Sequence, residues 1–352
     1  MNYYPNSSVE GGNSYPVQSV DSDSRKTRFD TNTDLSTDIL EVKSEVGQLK
    51  DEFAKLRKTL ESSHMSERDV SPTIMDPNRC RRSRKRAVIV DNGSAEQALA
   101  QARQAFQSGN YNEGIDLYEQ LAEMVPACSI QILAELYDQY KVMKGTGNRY
   151  TLYVSRDFEF NIQPTDKVLD IGSGHDPFPY ATHLADFAPD DDSYGRNGIA
   201  CKQIDGKDFY ACNVEDMPFE DKEFDFVYCS HVLEHTENPE KACSELMRVA
   251  KRGYIETPSR GKDLFLNTPR VSNHNWAVSN VNGRLIFDQY SEADKDGINN
   301  GILMDMHCAP QTEREKAFSA LLWLKSLAVN TVLYWEDGFD FEVRRISSTT
   351  TP

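Results

Sequence analysis

Residues 167–174, Lys-Val-Leu-Asp-Ile-Gly-Ser-Gly, constrain this chain more than any other stretch. Val168, Leu169 and Ile171 make a short apolar run of the kind buried on both faces of a parallel sheet. Asp170 lies near the end of that run, and Gly172-Ser173-Gly174 follow. Two glycines there permit a sharp turn and let a ligand lie against bare main chain. In open α/β sheets the turn after the first strand is where nucleotide-like cofactors bind. The dinucleotide fingerprint needs a third glycine three residues after the second, and that position is Pro177, which disfavours a nicotinamide or flavin cofactor. A nucleotide-sugar enzyme of the α/β class is disfavoured further because Tyr137 and Lys141, which have its Tyr-x-x-x-Lys spacing, precede the turn.

The 352 residues allow one sizeable α/β domain with additions. A formal charge of −17 is ill suited to nucleic-acid backbones or anionic membrane. No apolar run approaches the ~18 residues of a membrane span, and residues 1–5 lack the basic and apolar regions of a secretion signal. The seven cysteines are scattered without a Cys-x-x-Cys pair, which argues against a disulfide framework or structural zinc and for a reducing, cytoplasmic setting.

Residues 1–36 are rich in Asn, Ser, Asp and Gly and read as disordered. Within 37–62, Ile39, Val42, Val46, Leu49, Phe53, Leu56 and Leu60 alternate spacings of three and four, a heptad seam that predicts a coiled coil and a homo-oligomer through 39–60. Residues 63–94 read as linker with a basic run at 79–86, more readily a solvated charge run than a localisation signal or a contact for an acidic partner. Residues 95–144 are helical. Ala102, Ala105, Phe106, Gly109-Asn110-Tyr111, Ile115, Tyr118, Leu121 and Pro126 resemble one tetratricopeptide repeat, with Gly114 where that family prefers Ala. A single repeat makes a spacer rather than a peptide-binding solenoid.

The remaining segments recur in an order that carries its own message. Ala181–Asp186 reads as a second strand, Asp208–Val214 as a third, Glu223–Ser230 as a fourth and Gly253–Pro258 as a fifth, with a helix from Asn238-Pro239 to Val249. Asp170 before Gly172-x-Gly174, Asp186 ending the second strand, Asn213-Val214-Glu215-Asp216-Met217-Pro218-Phe219, and Ser230 closing the fourth together resemble class I S-adenosylmethionine-dependent methyltransferases of the ubiquinone-biosynthesis-like type. The resemblance implies a Rossmann-like, mostly parallel seven-stranded sheet over 145–347, ending in a C-terminal β-hairpin at Asp337-Gly338, with an insertion at 260–310 and a tail at 348–352. It also implies S-adenosylmethionine as cofactor. The amides of Gly172, Ser173 and Gly174 would meet its methionine end, and Asp186 the ribose. Asn213, Val214 and Glu215 would meet the adenine, and Asp170 and Ser230 would line the cleft. The crossover at 175–180 is short and holds two prolines, a departure from the usual long helix.

Proton-accepting candidates sit at the carboxyl ends of strands: His231 first and His235 with it, then Glu256 and His274. His231 could equally line the pocket through its backbone. His231-x-x-Glu234-His235 could hold a metal with His274 or His307, but the same trio occurs in metal-free members, and no metal is expected. The insertion follows no readable pattern, so the acceptor is placed by elimination as a small molecule or saccharide, with nucleic acid disfavoured. The competing reading is a non-catalytic scaffold acting through its coiled coil and repeat.

Overall fold

The computed structural model describes residues 95–146, 149–190, 200–266, 273–296, 306 and 309–346. The expected disordered segment 1–36, the coiled coil and its oligomer contact, the basic run 79–86, His307 and the tail lie outside the described residues.

Helices α1 (Ala95–Gln107) and α2 (Tyr111–Met124) fold back on each other through Gly109, whose φ of +77° suits a residue without a Cβ. Ala98, Ala102 and Phe106 from α1 pack on Ile115, Tyr118 and Leu121 from α2. Gly114 passes so close to α1 that a Cβ would lie 2.6 Å from the Phe106 ring, a physical reason for glycine there. Helix α3 (Ser129–Thr146) adds Leu136, Tyr137 and Tyr140 to the same cluster. Ala317, Ala320 and Leu324 join it from Glu313–Leu324, a helix far along the chain whose Trp323 stacks on Tyr137 at 5.7 Å. The N-terminal helices therefore share a core with a C-terminal one.

The sheet of the second half is built on β1 (Val168–Ile171), β2 (His183–Asp186), β3 (Asp208–Ala211), β4 (Phe226–Ser230) and β5 (Arg252–Pro258). Its order is β3-β2-β1-β4-β5, all parallel, and β1 and β4 are buried along their whole length. One face is covered by α4 (Pro239–Val249), with Pro239 in its first turn and the Asn238 side chain accepting the Lys241 N–H at 3.0 Å. Its Ala242, Cys243, Leu246 and Val249 lie in the core with Leu169, Val227 and Ile255. The short crossover from β1 to β2 carries no helix, so the other face is covered differently. Phe158 and Phe160 from the preceding segment and Phe178 from the crossover pack on Phe226, Tyr228 and Tyr254, and Phe178 stacks on Tyr228 at 4.3 Å. Aromatic rings do there what a crossover helix usually does.

Two expectations need correction. The central sheet has six strands among the described residues, not seven, closed by β8 (Asn330–Glu336) antiparallel to β5. The C-terminal hairpin does not form as a paired unit. Asp337 and Gly338 make the reversal, at φ +63° and +156°, but β9 (Asp340–Arg344) leaves the central sheet and pairs parallel with the strand Arg284–Gln289. The reason lies in the insertion, where β6 (Trp276–Val281) and β7 (Arg284–Gln289) form their own hairpin around Asn282-Gly283. A tight turn fixes where the chain reverses but not which edge it meets. Here β7 offers an edge backed by buried Leu285 and Phe287.

Candidate active site

The carboxyl ends of β1, β2, β4 and β5 converge on one rim, and most of the anticipated residues stand there. Gly172 turns at φ +73°, and a Cβ on it would meet Val232 Cγ2 at 2.2 Å. The three loop amides are not presented to a ligand as expected. Those of Gly172 and Ser173 donate to the Ala185 carbonyl at 2.8 and 3.0 Å, and that of Gly174 donates to Asp186 Oδ2 at 2.9 Å. The loop is thus tied to the end of β2, and Asp186, 7% exposed, is turned inward to brace it. Ser173 keeps a buried hydroxyl with no partner among the described residues. Asp170 accepts the Phe178 N–H at 2.7 Å across the short crossover; burial pushes its carboxyl up to about 7 despite that bond.

On the adenine side, polar atoms are likewise engaged. Asn213 Oδ1 accepts the Glu215 N–H at 2.9 Å, an Asx-type turn. Glu215 Oε1 accepts the amides of Glu237 and Asn238 at 2.7 and 3.0 Å, at the start of α4. Val214 is buried in the core. These three residues hold the loop after β3 against α4.

The polar centre lies past β4. Ser230 Oγ accepts Arg149 Nη1 at 3.0 Å, while the Arg149 backbone N–H donates to Asp176 Oδ2 at 2.9 Å. His231 follows at φ +59°, a left-handed conformation rare outside glycine, and its N–H donates to the Glu256 carbonyl at 2.7 Å. Its imidazole stands between two carboxylates, with Nδ1 3.2 Å from Glu234 Oε1 and Nε2 3.4 Å from Glu256 Oε1. Glu256 is fully buried and also accepts from Tyr153, Tyr254 and Asn330 at 2.8, 2.9 and 2.7 Å. Burial alone would raise its pKa, but the neighbouring His231, Arg149 and Lys262 hold it down at about 2. Arg149, Tyr153, Lys262 and Asn330 were not anticipated. They come from segments before β1, after β5 and at the start of β8, and no local motif marks them.

Glu234, in the short turn Leu233–His235, is 1% exposed. Burial opposes its charge, yet His231, His235 and His274 keep its pKa at about 2. His235 Nδ1 lies 3.0 Å from the Asn273 carbonyl, and burial lowers the pKa of this imidazole. His274 Nδ1 lies 3.0 Å from Asp263 Oδ2, which also accepts the Tyr290 hydroxyl at 3.1 Å. Burial works against a proton on His274, but Asp263 and Glu234 raise its pKa overall. Although no metal is expected from sequence, Glu234, His235 and His274 each bring one ligand atom within 4.8 Å of the others. His231 is not in that trio.

A methyltransferase-domain family model matches residues 169–255. A demethylmenaquinone methyltransferase of Renibacterium salmoninarum is 35% identical over 92 residues, 26% of this chain and 39% of that protein. One of the same name from Paenarthrobacter aurescens is 33% identical over 95 residues, 26% of this chain and 38% of that protein. The chain therefore spans under two fifths of the length of these relatives. A crystal structure of an S-adenosylmethionine-dependent methyltransferase from Aquifex aeolicus aligns with a TM-score of 0.25 and 19% identity, covering 34% of this chain and 73% of that one. Over residues 169–255 the chain is similar to methyltransferase domains, and S-adenosylmethionine is the cofactor that its motifs imply.

Proposed function

We propose that, with a methyltransferase domain at its centre, this chain moves a methyl group to an oxygen or nitrogen of a small-molecule or saccharide acceptor, with His231 as the proton acceptor. The observation that carries the reading is the His231 imidazole, held in a strained backbone conformation at the end of β4 between Glu234 and Glu256. Strain of ~1–3 kcal/mol persists only where the surroundings impose it, and it gathers at functional sites. The buried Glu234 and Glu256 carboxylates fix the orientation of the ring, the part a buried acid plays for the histidine of acid–base sites.

The residues fit the cofactor at its amino-acid end. The orphaned Ser173 hydroxyl lies at the glycine turn after β1, and the partly buried Arg149 guanidinium reaches Ser230 at the end of the neighbouring strand β4. Arg149 would take the carboxylate as a charge-assisted pair. Asp170 and Asp186 keep the turn in shape, and Asn213, Val214 and Glu215 form the wall nearest the adenine. When bound, the cofactor supplies an already activated sulfonium methyl. The protein's part is alignment and exclusion of water. The acidic chain favours an acceptor without a phosphate backbone, and among the described residues no helix is long and apolar enough to cross a membrane. Residues 95–144 serve as a spacer docked on this domain, and 39–60 as the self-association element, in a cytoplasmic protein.

The decisive experiment incubates the protein and methyl-labelled cofactor with cell extract and asks which fraction carries label. His231→Gln should bind cofactor in a thermal-shift assay yet transfer at least ~10²-fold more slowly. The scaffold reading is supported instead if cofactor binds and no acceptor fraction is ever labelled. The engaged loop amides and Asn213 are the observations that favour that second reading.

A further inference from the structure

The turn after β4 and the start of the insertion bring together a cluster that methyl transfer does not require. Glu234 Oε2 is buried and has no partner among the described residues, while Oε1 lies 3.9 Å from His235 Nε2. A carboxylate oxygen in that position, unsolvated and unpaired, costs on the order of kcal/mol unless something positive meets it. The two imidazoles beside it are each fixed from behind. The Asn273 carbonyl holds His235 Nδ1, and the fully buried Asp263 carboxylate holds His274 Nδ1, itself steadied by Tyr290. Pinning Nδ1 leaves Nε2 to the cluster on both rings. Outer acceptors on the far nitrogen are what orient metal-bound histidines and raise their basicity. A simple packing role accounts for the 4.6 Å edge-on contact of the two rings, but not for the orphaned carboxylate oxygen.

We propose that Glu234, His235 and His274 form a binding site for a divalent transition-metal ion of the zinc and cobalt class. Two imidazoles and one carboxylate suit such an ion better than magnesium or calcium, which prefer oxygen ligands throughout. Three protein ligands leave at least one coordination position open, the arrangement of a working site rather than a structural one. His231 shares the Glu234 carboxylate with this site, its Nδ1 lying 3.2 Å from Oε1, so the site would adjoin the imidazole assigned to proton transfer.

The site can be tested without cofactor or acceptor, so its failure and that of the methyl-transfer reading are separate results. Co2+ is titrated into the tag-free full chain and followed by visible absorption and by metal content after gel filtration. One equivalent should bind, and His235→Gln and His274→Asn should each weaken binding at least tenfold, while His183→Asn, on β2, should leave it unchanged. Circular dichroism reports whether each variant folds. If loss of the Asp263 partner unfolds His274→Asn, His235→Gln, a partly exposed side chain, carries the comparison. Absence of binding to the parent chain, or equal binding by folded His235→Gln, overturns the proposal.

Discussion

Glu256 Oε1 lies 3.4 Å from His231 Nε2 and 2.8 Å from the Tyr153 hydroxyl, so one buried carboxylate oxygen joins the site after β4 to the segment that precedes the sheet. That oxygen also accepts from Asn330 on β8. Three parts of the chain distant in sequence depend on a single charge.

Replacing that charge should be costly and should change the acid response. Glu256→Gln leaves His231, Arg149 and Lys262 facing a neutral amide and should lower stability by about 3–5 kcal/mol, the usual cost of breaking a buried pair. The folded carboxyl is held at about 2, below its ordinary 4.5. Its contribution is therefore complete above pH ~4.5 and is lost as pH falls toward 2. Urea midpoints at pH 5 and pH 3 should fall less steeply in Glu256→Gln than in the parent. An identical drop in both would refute this.

Asp170 should act with the opposite sign. Its folded pKa is raised from 3.8 to about 7, so the folded state holds a proton that the unfolded chain releases. That contribution is present below pH ~4 and is lost as pH climbs to 7. Asp170→Asn keeps an oxygen for the Phe178 N–H but cannot ionise. The difference in melting temperature between variant and parent should move in the variant's favour from pH 5 to pH 8.

Gly172 is constrained twice over, by its φ of +73° and by Val232 Cγ2 at 2.2 Å from any Cβ. Gly172→Ala should lose about 2–4 kcal/mol, of which ~1–3 is backbone strain. Adding Val232→Ala should recover the steric part and none of the conformational part. Thermal unfolding of the single and double variants separates the two, and full recovery in the double variant would show that strain is absent.

Arg149 should matter to cofactor affinity more than to turnover at saturation. Losing a hydrogen bond to a charged partner costs ~1.5–3 kcal/mol, so Arg149→Met should weaken S-adenosylmethionine binding about 10- to 100-fold by calorimetry. A carboxylate-free cofactor analogue should be nearly indifferent to the substitution. If both ligands weaken alike, the guanidinium is a structural strut between Ser230 and its neighbours.

Local pattern was enough for the parallel core. β1, β2 and β4 fall within the runs that foretell them, β5 begins one residue before its run, and α4 starts at Pro239, where its Asn-Pro start signal puts it. The hairpin β6–β7 has its own local cue, Asn282-Gly283 between alternating residues, set in an insertion that otherwise reads as patternless. The site divides in the same way. Glycines, the acid ending β2 and the histidines after β4 are local in sequence and could be named from spacing. What those groups bond to was not legible. The loop amides turned out to serve Ala185 and Asp186, and Asn213 serves Glu215.

By itself the sequence determined the elements, their order and the rim on which polar groups gather, because periodicity and turn chemistry act over a few residues. Only tertiary structure decided that β9 would join β7, that Arg149 would reach Ser230, and that His274 would stand beside Glu234 and His235. Each of those joins residues at least 39 positions apart, and such pairings follow from which edges and faces are left open once the core has formed. No local signal encodes that choice.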